Sequence, residues 1–310
     1  MKTSSLTRGY AVALLSAAIL STTAVFIRYL TQTYALPALI LAFWRDVFLA
    51  VGLLIGLLLL RPGLLSPSVH LRYLLIYGVV LAVFNSLWTL SVALNGAAVA
   101  TVLAYSSAAF TALLGRWILK EPLYWAKWMA VGVSLSGCAL VAGALDPAAW
   151  RVNPLGIITG VTSGLLWAVY SLMGRAASQR GLNPWTTLLY TFAFAAFSLL
   201  VFNLLLGPFL PGAAQNFGDL FWLGKAWLGW GLLILLSLGP TLGGFGFYNV
   251  ALTLLPSSIA NLIATSEPVW TAIIAYVFLG ERLTGVQVAG SLMVLGGVVL
   301  LRIYEEQVTR

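Results

Sequence analysis

The chain has 310 residues, of which 61% are hydrophobic and 8% charged, with a formal net charge of +8. A soluble domain carries roughly a quarter charged residues, so a soluble fold is excluded and a polytopic α-helical membrane protein is indicated. One cysteine and one histidine, Cys138 and His70, exclude an intrachain disulfide, a CxxC metal site and a His-rich metal centre, and no cofactor is expected.

Ten apolar spans are expected in chain order, each near the roughly 20 residues that cross a bilayer as a helix. They are Gly9–Tyr29, Leu36–Leu60, Arg72–Ser91, Asn95–Trp117, Leu123–Gly143, Pro154–Arg175, Pro184–Leu206, Ala226–Val250, Leu254–Leu279 and Leu283–Ile303. The first leads on to Arg28 without a small-x-small cleavage site, so it reads as a span and not a removed signal peptide. Breakers punctuate the loops at Arg61-Pro62-Gly63, Asp146-Pro147, Asn153-Pro154 and Gly207-Pro208. The basic residues stand singly between spans, as in loops that fix topology, and not in the clusters that bind nucleic acid. With the N-terminus in the cytoplasm, eleven Lys and Arg fall inside and five outside. Both termini are therefore expected in the cytoplasm of a multi-pass inner-membrane protein.

The chain repeats itself with a period of 160 residues. Ser258–Glu281 lies over Ala98–Glu121, with Ala260, Ala264, Ser266, Thr271, Ala272, Leu279 and Glu281 matching Ala100, Ala104, Ser106, Thr111, Ala112, Leu119 and Glu121. Leu283 matches Leu123 and Gly297 matches Gly137. Five spans per copy is an odd number, so the second copy must enter the membrane from the opposite face. The expected fold is all-α, with ten transmembrane helices as two inverted-topology five-helix repeats, residues 1–147 and 148–310, around a central cavity.

The segment TSEPVWTAIIAYVFLGERLTGVQVAGSLMVLGGVVLL (Thr265–Leu301) resembles the C-terminal hairpin of the drug/metabolite transporter superfamily, EamA type. That family has an acid-proline in its ninth helix, an LGE-basic-L tip and spaced glycines in the tenth. LKEPL (Leu119–Leu123) is a looser copy of the tip. The resemblance implies a ten-helix carrier of small organic solutes. LLWAVYSLMGR (Leu165–Arg175) and FGFYNVAL (Phe245–Leu252) are similar to segments of the aromatic amino-acid exporters, which implies export.

Several residues are candidates for the site. Glu267 is a carboxylate inside a span, where an ionised acid costs a few kcal/mol. It is either a coupling or ligand-binding acid, or a structural group that caps backbone freed by Pro268 or pairs with an intramembrane arginine. Arg45 can reach a substrate carboxylate or pair with a buried acid such as Glu267. Arg45 and Asp46 differ by about 100° around the helix and are not expected to pair with each other. Glu121 and Glu281, at matched tips, are expected to cap the helix that follows each.

Asn85, Trp88, Tyr105, Trp167, Tyr170, Tyr248, Asn249 and Trp270 fall inside spans. Together they could wall a cavity that stacks planar groups and orients them with amides. Trp125, Trp128, Trp150, Trp185, Trp222 and Trp227 lie near span ends, as expected of an interfacial belt. Gly239, Pro240, Gly243, Gly244 and Gly246 make the eighth span either a hinge or a tightly packed segment.

A membrane enzyme would need a nucleophile with a base, or a metal set, and neither is present in the sequence. A phosphorylated substrate would need several midplane cations, where only Arg45 is available. The expected function is secondary transport by alternating access, most specifically efflux of aromatic or large apolar amino acids from the cytoplasm. Export of other amphipathic metabolites or drugs is the alternative, and a channel is a further one. The expected partners are that small-molecule substrate and the lipid bilayer, with the monomer as the working unit.

Overall fold

The computed structural model describes residues 3–66, 70–141, 153–210, 212–279 and 284–309. Among these every regular element is helical, as an apolar chain with no water to satisfy its backbone requires. The main helices are α1 (Thr3–Leu20), α2 (Thr23–Thr33), α3 (Ala38–Leu60), α4 (Leu71–Tyr105), α5 (Ser107–Ile118), α6 (Trp125–Val141), α7 (Pro154–Gln179) and α8 (Pro184–Leu206). They continue with α9 (Trp227–Leu236), α10 (Leu242–Leu254), α11 (Ser257–Ala264), α12 (Glu267–Leu279) and α13 (Gly285–Thr309). Among the described residues seven stretches are long and apolar enough to cross a membrane, and Val102–Ile118 and Trp125–Val141 are shorter apolar helices.

Four of the expected spans are interrupted. The first divides into α1 and α2 at Ser21-Thr22, the fourth into the end of α4 and α5 at Ser106, and the ninth into α11 and α12 at Thr265-Ser266. The same contact stands at each of these three breaks, a hydroxyl bonded to the carbonyl three residues back. Ser21 bonds Ala18 O at 2.6 Å, Thr22 bonds Ile19 O at 2.8 Å and Ser106 bonds Leu103 O at 2.6 Å. Thr265 bonds Leu262 O at 2.6 Å and Ser266 bonds Ile263 O at 2.7 Å. These hydroxyls supply local partners that an apolar surrounding cannot. The eighth span contains a π-helical turn, Ser237–Thr241, with Pro240 inside it, between α9 and α10.

One expected loop is absent. Residues 92–94 lie inside α4, which runs 35 residues unbroken, about 52 Å against a hydrocarbon core of about 30 Å. The helix has no proline, and Gly96, the glycine next to the expected loop, costs only about 1 kcal/mol relative to alanine. The boundary expected at 147/148, together with Trp150, Glu281 and Arg282, lies outside the described residues.

Helices pair across the chain: α4 packs on α7, α1 on α10, α3 on α8 and α6 on α13. Tyr77, Tyr170, Tyr248, Lys127 and Phe192 are fully buried between them. Leu59, Leu60, Ile76, Ile158, Phe197 and Leu292 are exposed and face outward, the arrangement lipid favours. Trp125, Trp222 and Trp227 are exposed, whereas Trp185 is wedged against α10, 2.7 Å from where a Cβ on Gly246 would lie. Gly244 likewise makes room for Leu20, so two of the glycines in this span serve close packing.

Candidate functional site

The interrupted helices converge. A cavity of about 120 Å³ is lined by Leu20, Thr23 and Ile27 beside the first break, Ala104 and Tyr105 beside the second, and Ala264 and Glu267 beside the third. Arg45, Phe84, Asn85, Trp88, Trp167 and Phe245 complete the wall. This volume is below the roughly 300–1,000 Å³ of drug-sized pockets.

Two charged side chains enter this wall. On α3, Arg45 Nε contacts Asp46 Oδ1 at 3.3 Å, with both side chains buried. The expectation that these neighbours cannot pair is corrected. The long arginine side chain curls back along its own helix, and burial rewards any contact that compensates the carboxylate. The second Asp46 oxygen accepts from Asn85 Nδ2 at 3.3 Å. Asp46 thus fixes both an arginine and an amide that line the cavity. Arg45 does not pair with Glu267. Among the described residues the terminal guanidinium nitrogens of Arg45 make no hydrogen bond, which leaves donors for a ligand.

On α12, Glu267 occupies the first turn, where an acid complements the helix dipole and Pro268 needs no donor. Its side chain and that of Tyr105 line the same part of the cavity. The first-half counterpart of Glu267 is Ser107, which opens α5 in the same way.

The aromatic candidates fall into two layers. Trp167 stacks on Tyr170, with centroids 5.1 Å apart and planes at 5°, and on Tyr248 at 5.2 Å. Phe84 lies 5.0 Å from Trp167, and Phe245 sets its edge to both Trp167 and Tyr170. Tyr105, Trp167, Asn85 and Trp88 reach the cavity, whereas Tyr170, Tyr248 and Asn249 form the layer behind. That layer is hydrogen-bonded throughout. Asn249 Nδ2 donates to the Tyr170 hydroxyl at 3.1 Å, Ser171 and Tyr248 share a 2.7 Å bond, and Asn261 Nδ2 donates to Ser171 Oγ at 3.1 Å. Trp270 lies outside the cavity wall, and its buried Nε1 has no hydrogen-bond partner among the described residues. Phe84, Phe245 and Thr23 were missed in sequence reading. Phe84 adjoins Asn85, and Phe245 lies four before Asn249 on one helix face, which is the signal that could have found them.

Comparison with known proteins adds three findings. The model of the EamA-like transporter family matches residues 7–143 and 154–303. An uncharacterized transporter of Synechocystis is 27% identical over 74% of this chain and 65% of its own length, and one of Archaeoglobus fulgidus is 26% identical over 47% of each. The chain thus spans less than two thirds of these two relatives. The threonine/homoserine exporter RhtA of Escherichia coli is 28% identical over 81% of this chain and 77% of RhtA. A solved crystal structure superposes with a TM-score of 0.77 over 98% of this chain and 99% of the other, at 16% identity, which establishes likeness of fold.

Proposed function

The chain belongs to the EamA-like transporter family, and from that premise we propose that it exports zwitterionic amino acids with aromatic or large apolar side chains by alternating access. The observation that carries this reading is the pairing of one cation and one acid in a single aromatic-walled cavity. The free guanidinium nitrogens of Arg45, held by Asp46, suit a substrate carboxylate. Glu267, beside Tyr105, suits the ammonium group. Phe84, Trp88, Trp167 and Phe245 suit an apolar or aromatic side chain. Tyr170, Tyr248 and Asn249 stiffen that wall from behind.

The inverted repeat has independent support. The family model matches the chain twice, on either side of the 147/148 boundary. The packing of α1 on α10 and of α4 on α7 is the exchange expected of two related halves. Breaks at Ser106 and Ser266, one period apart, are what discontinuous helices at a midplane site require. On this reading the protein works as a monomer in the cytoplasmic membrane, with both termini inside.

A second reading is export of small hydroxylated amino acids. It is favoured by the RhtA relatives, named for threonine and homoserine, and by the modest cavity volume. Counterflow in proteoliposomes with labelled phenylalanine, tryptophan, leucine, threonine and homoserine tests both. Saturable exchange of the first three supports the main reading. Exchange confined to threonine and homoserine replaces it with the second, and no exchange of any amino acid removes both.

A further inference from the structure

Glu121 follows α5 at the first-half tip, yet it does not cap the helix after it. The expectation of local capping is corrected, because its carboxylate reaches across to the start of α11. Oε1 accepts from Ser257 N and Ser257 Oγ, both at 2.7 Å. Oε2 accepts from Ser258 N at 3.2 Å and Ser258 Oγ at 2.7 Å. The two orphan N–H groups and the positive dipole end of α11 thus converge on one side chain. Lys127 Nζ donates to the same Ser258 hydroxyl at 3.0 Å and to Pro122 O at 2.8 Å, so the hydroxyl bridges the opposite charges. Gly115 leaves the space, since a Cβ there would lie 2.9 Å from Glu121 Oε2. On the other side of the corner, Arg175 donates to Leu252 O at 2.8 Å and Thr253 O at 3.1 Å, at the negative end of α10.

What this clamp holds is a plug. All eight residues of α11 are buried, from Ser257 at the clamp to Ala264 in the cavity wall. Asn261, midway, is tied to Ser107 by the 3.1 Å bond from Ser107 Oγ and donates to Ser171. The clamped end of the bundle is also where α1 begins and α13 finishes. Arg302 bonds Thr7 there at 2.7 Å, the Tyr124 and Tyr304 rings lie 5.4 Å apart, and Gly9 abuts Leu255.

We propose that Glu121, with Ser257 and Ser258, is a latch between the halves that keeps the cavity shut toward the end carrying both chain termini. This rests on the cavity being the transport site. When the latch opens, the carboxylate and the α11 N-terminus both become exposed to water, which replaces each lost bond and permits the exchange of states.

The test is side-specific labelling of Ala104→Cys, a cavity-wall position, with a membrane-impermeant maleimide in vesicles of known orientation. Native Cys138, fully buried, serves as the unreactive internal thiol, and a C-terminal tag identifies the face in question. With the latch intact, Ala104→Cys is protected from the tagged face. Adding Glu121→Ala raises its labelling from that face by about tenfold, the scale set by losing hydrogen bonds to a charged group. Ser257→Ala/Ser258→Ala, which keeps both N–H donors, gives a smaller rise. If both variants keep the parent melting temperature and Ala104→Cys stays protected from the tagged face, the latch is wrong. If labelling rises but no amino acid exchanges, the latch stands and the amino-acid reading falls.

Discussion

Gly137 and Gly290 each face the other's backbone. A Cβ built on Gly137 would lie 2.6 Å from Gly290 O, and one built on Gly290 would lie 2.7 Å from Gly137 O. A Cβ on Gly297 would in turn meet Ala130 O at 2.9 Å and Ser134 Oγ on α6. Shifted by the 160-residue period, Gly137, Ala130 and Ser134 become Gly297, Gly290 and Val294, and Val294 N is the second contact of Gly137. The α6–α13 crossing is therefore close to its own image. Gly137→Ala and Gly290→Ala are each expected to destabilise by about 1–3 kcal/mol, because the obstruction is backbone and cannot rotate away. Thermal unfolding in detergent reads this. The control Gly132→Ala, where a Cβ meets nothing within 4 Å, should hold or slightly raise the midpoint, since alanine is the better helix former.

Asp46 and Arg45 separate stability from transport. Asp46→Ala strands a buried guanidinium, and losing one partner of a buried pair costs about 3–5 kcal/mol. The double variant Arg45→Ala/Asp46→Ala removes both charges and should recover much of that loss. Transport should not recover, because the proposed carboxylate receptor is gone. Melting midpoints and counterflow on the parent, Asp46→Ala and the double variant check this, and recovered transport in the double variant would count against Arg45 as a substrate ligand.

Trp167 and Trp88 should behave differently although both line the cavity. Trp167 is stacked within the core on Tyr170 and Tyr248, so Trp167→Ala is expected to cost about 3–5 kcal/mol as well as activity. Trp88 is only partly buried and lies outside the packed cluster. Trp88→Ala should therefore raise KM with a much smaller change in melting temperature. Kinetics and unfolding measured side by side separate the two.

Trp270 is the contrasting case. Its indole nitrogen is buried and unpartnered among the described residues, and it does not reach the cavity. Trp270→Phe removes an unsatisfied donor, which offsets part of the lost packing. Unchanged KM and a melting shift of no more than a few degrees are expected, and a large rise in KM would return Trp270 to the site.

Composition and span spacing were enough to read an all-helical membrane fold, and the acid-proline and tip motifs were enough to read the family. The helix breaks escaped notice because Ser-Thr pairs in apolar runs look unremarkable, while Gly-Pro signals draw attention. Yet Ser21, Ser106 and Thr265 stand at helix ends, each bonded to the carbonyl three residues back, and the cavity forms where those ends meet. Phe84 and Phe245 were hidden because an apolar side chain carries no mark of which face it turns inward. The partners of Glu121 lie 136 and 137 residues away, beyond any local capping rule. Arg45 and Asp46 were misjudged because helix-face geometry constrains Cβ directions, not the reach of a guanidinium.

In the sequence, the serine side of the Glu121 latch is not repeated one period earlier. The positions that correspond to Ser257 and Ser258 are Ala97 and Ala98, which have no hydroxyls to offer the tip of the second half. If the chain works by alternating access, as proposed, a latch on one face alone would make the form sealed at Glu121 the lower of the two closed forms. A passive carrier cannot shift the equilibrium of its solute. The imbalance must instead appear as unequal half-saturation on the two membrane faces, offset by unequal maximal rates, so that the ratio of the two quotients stays at one.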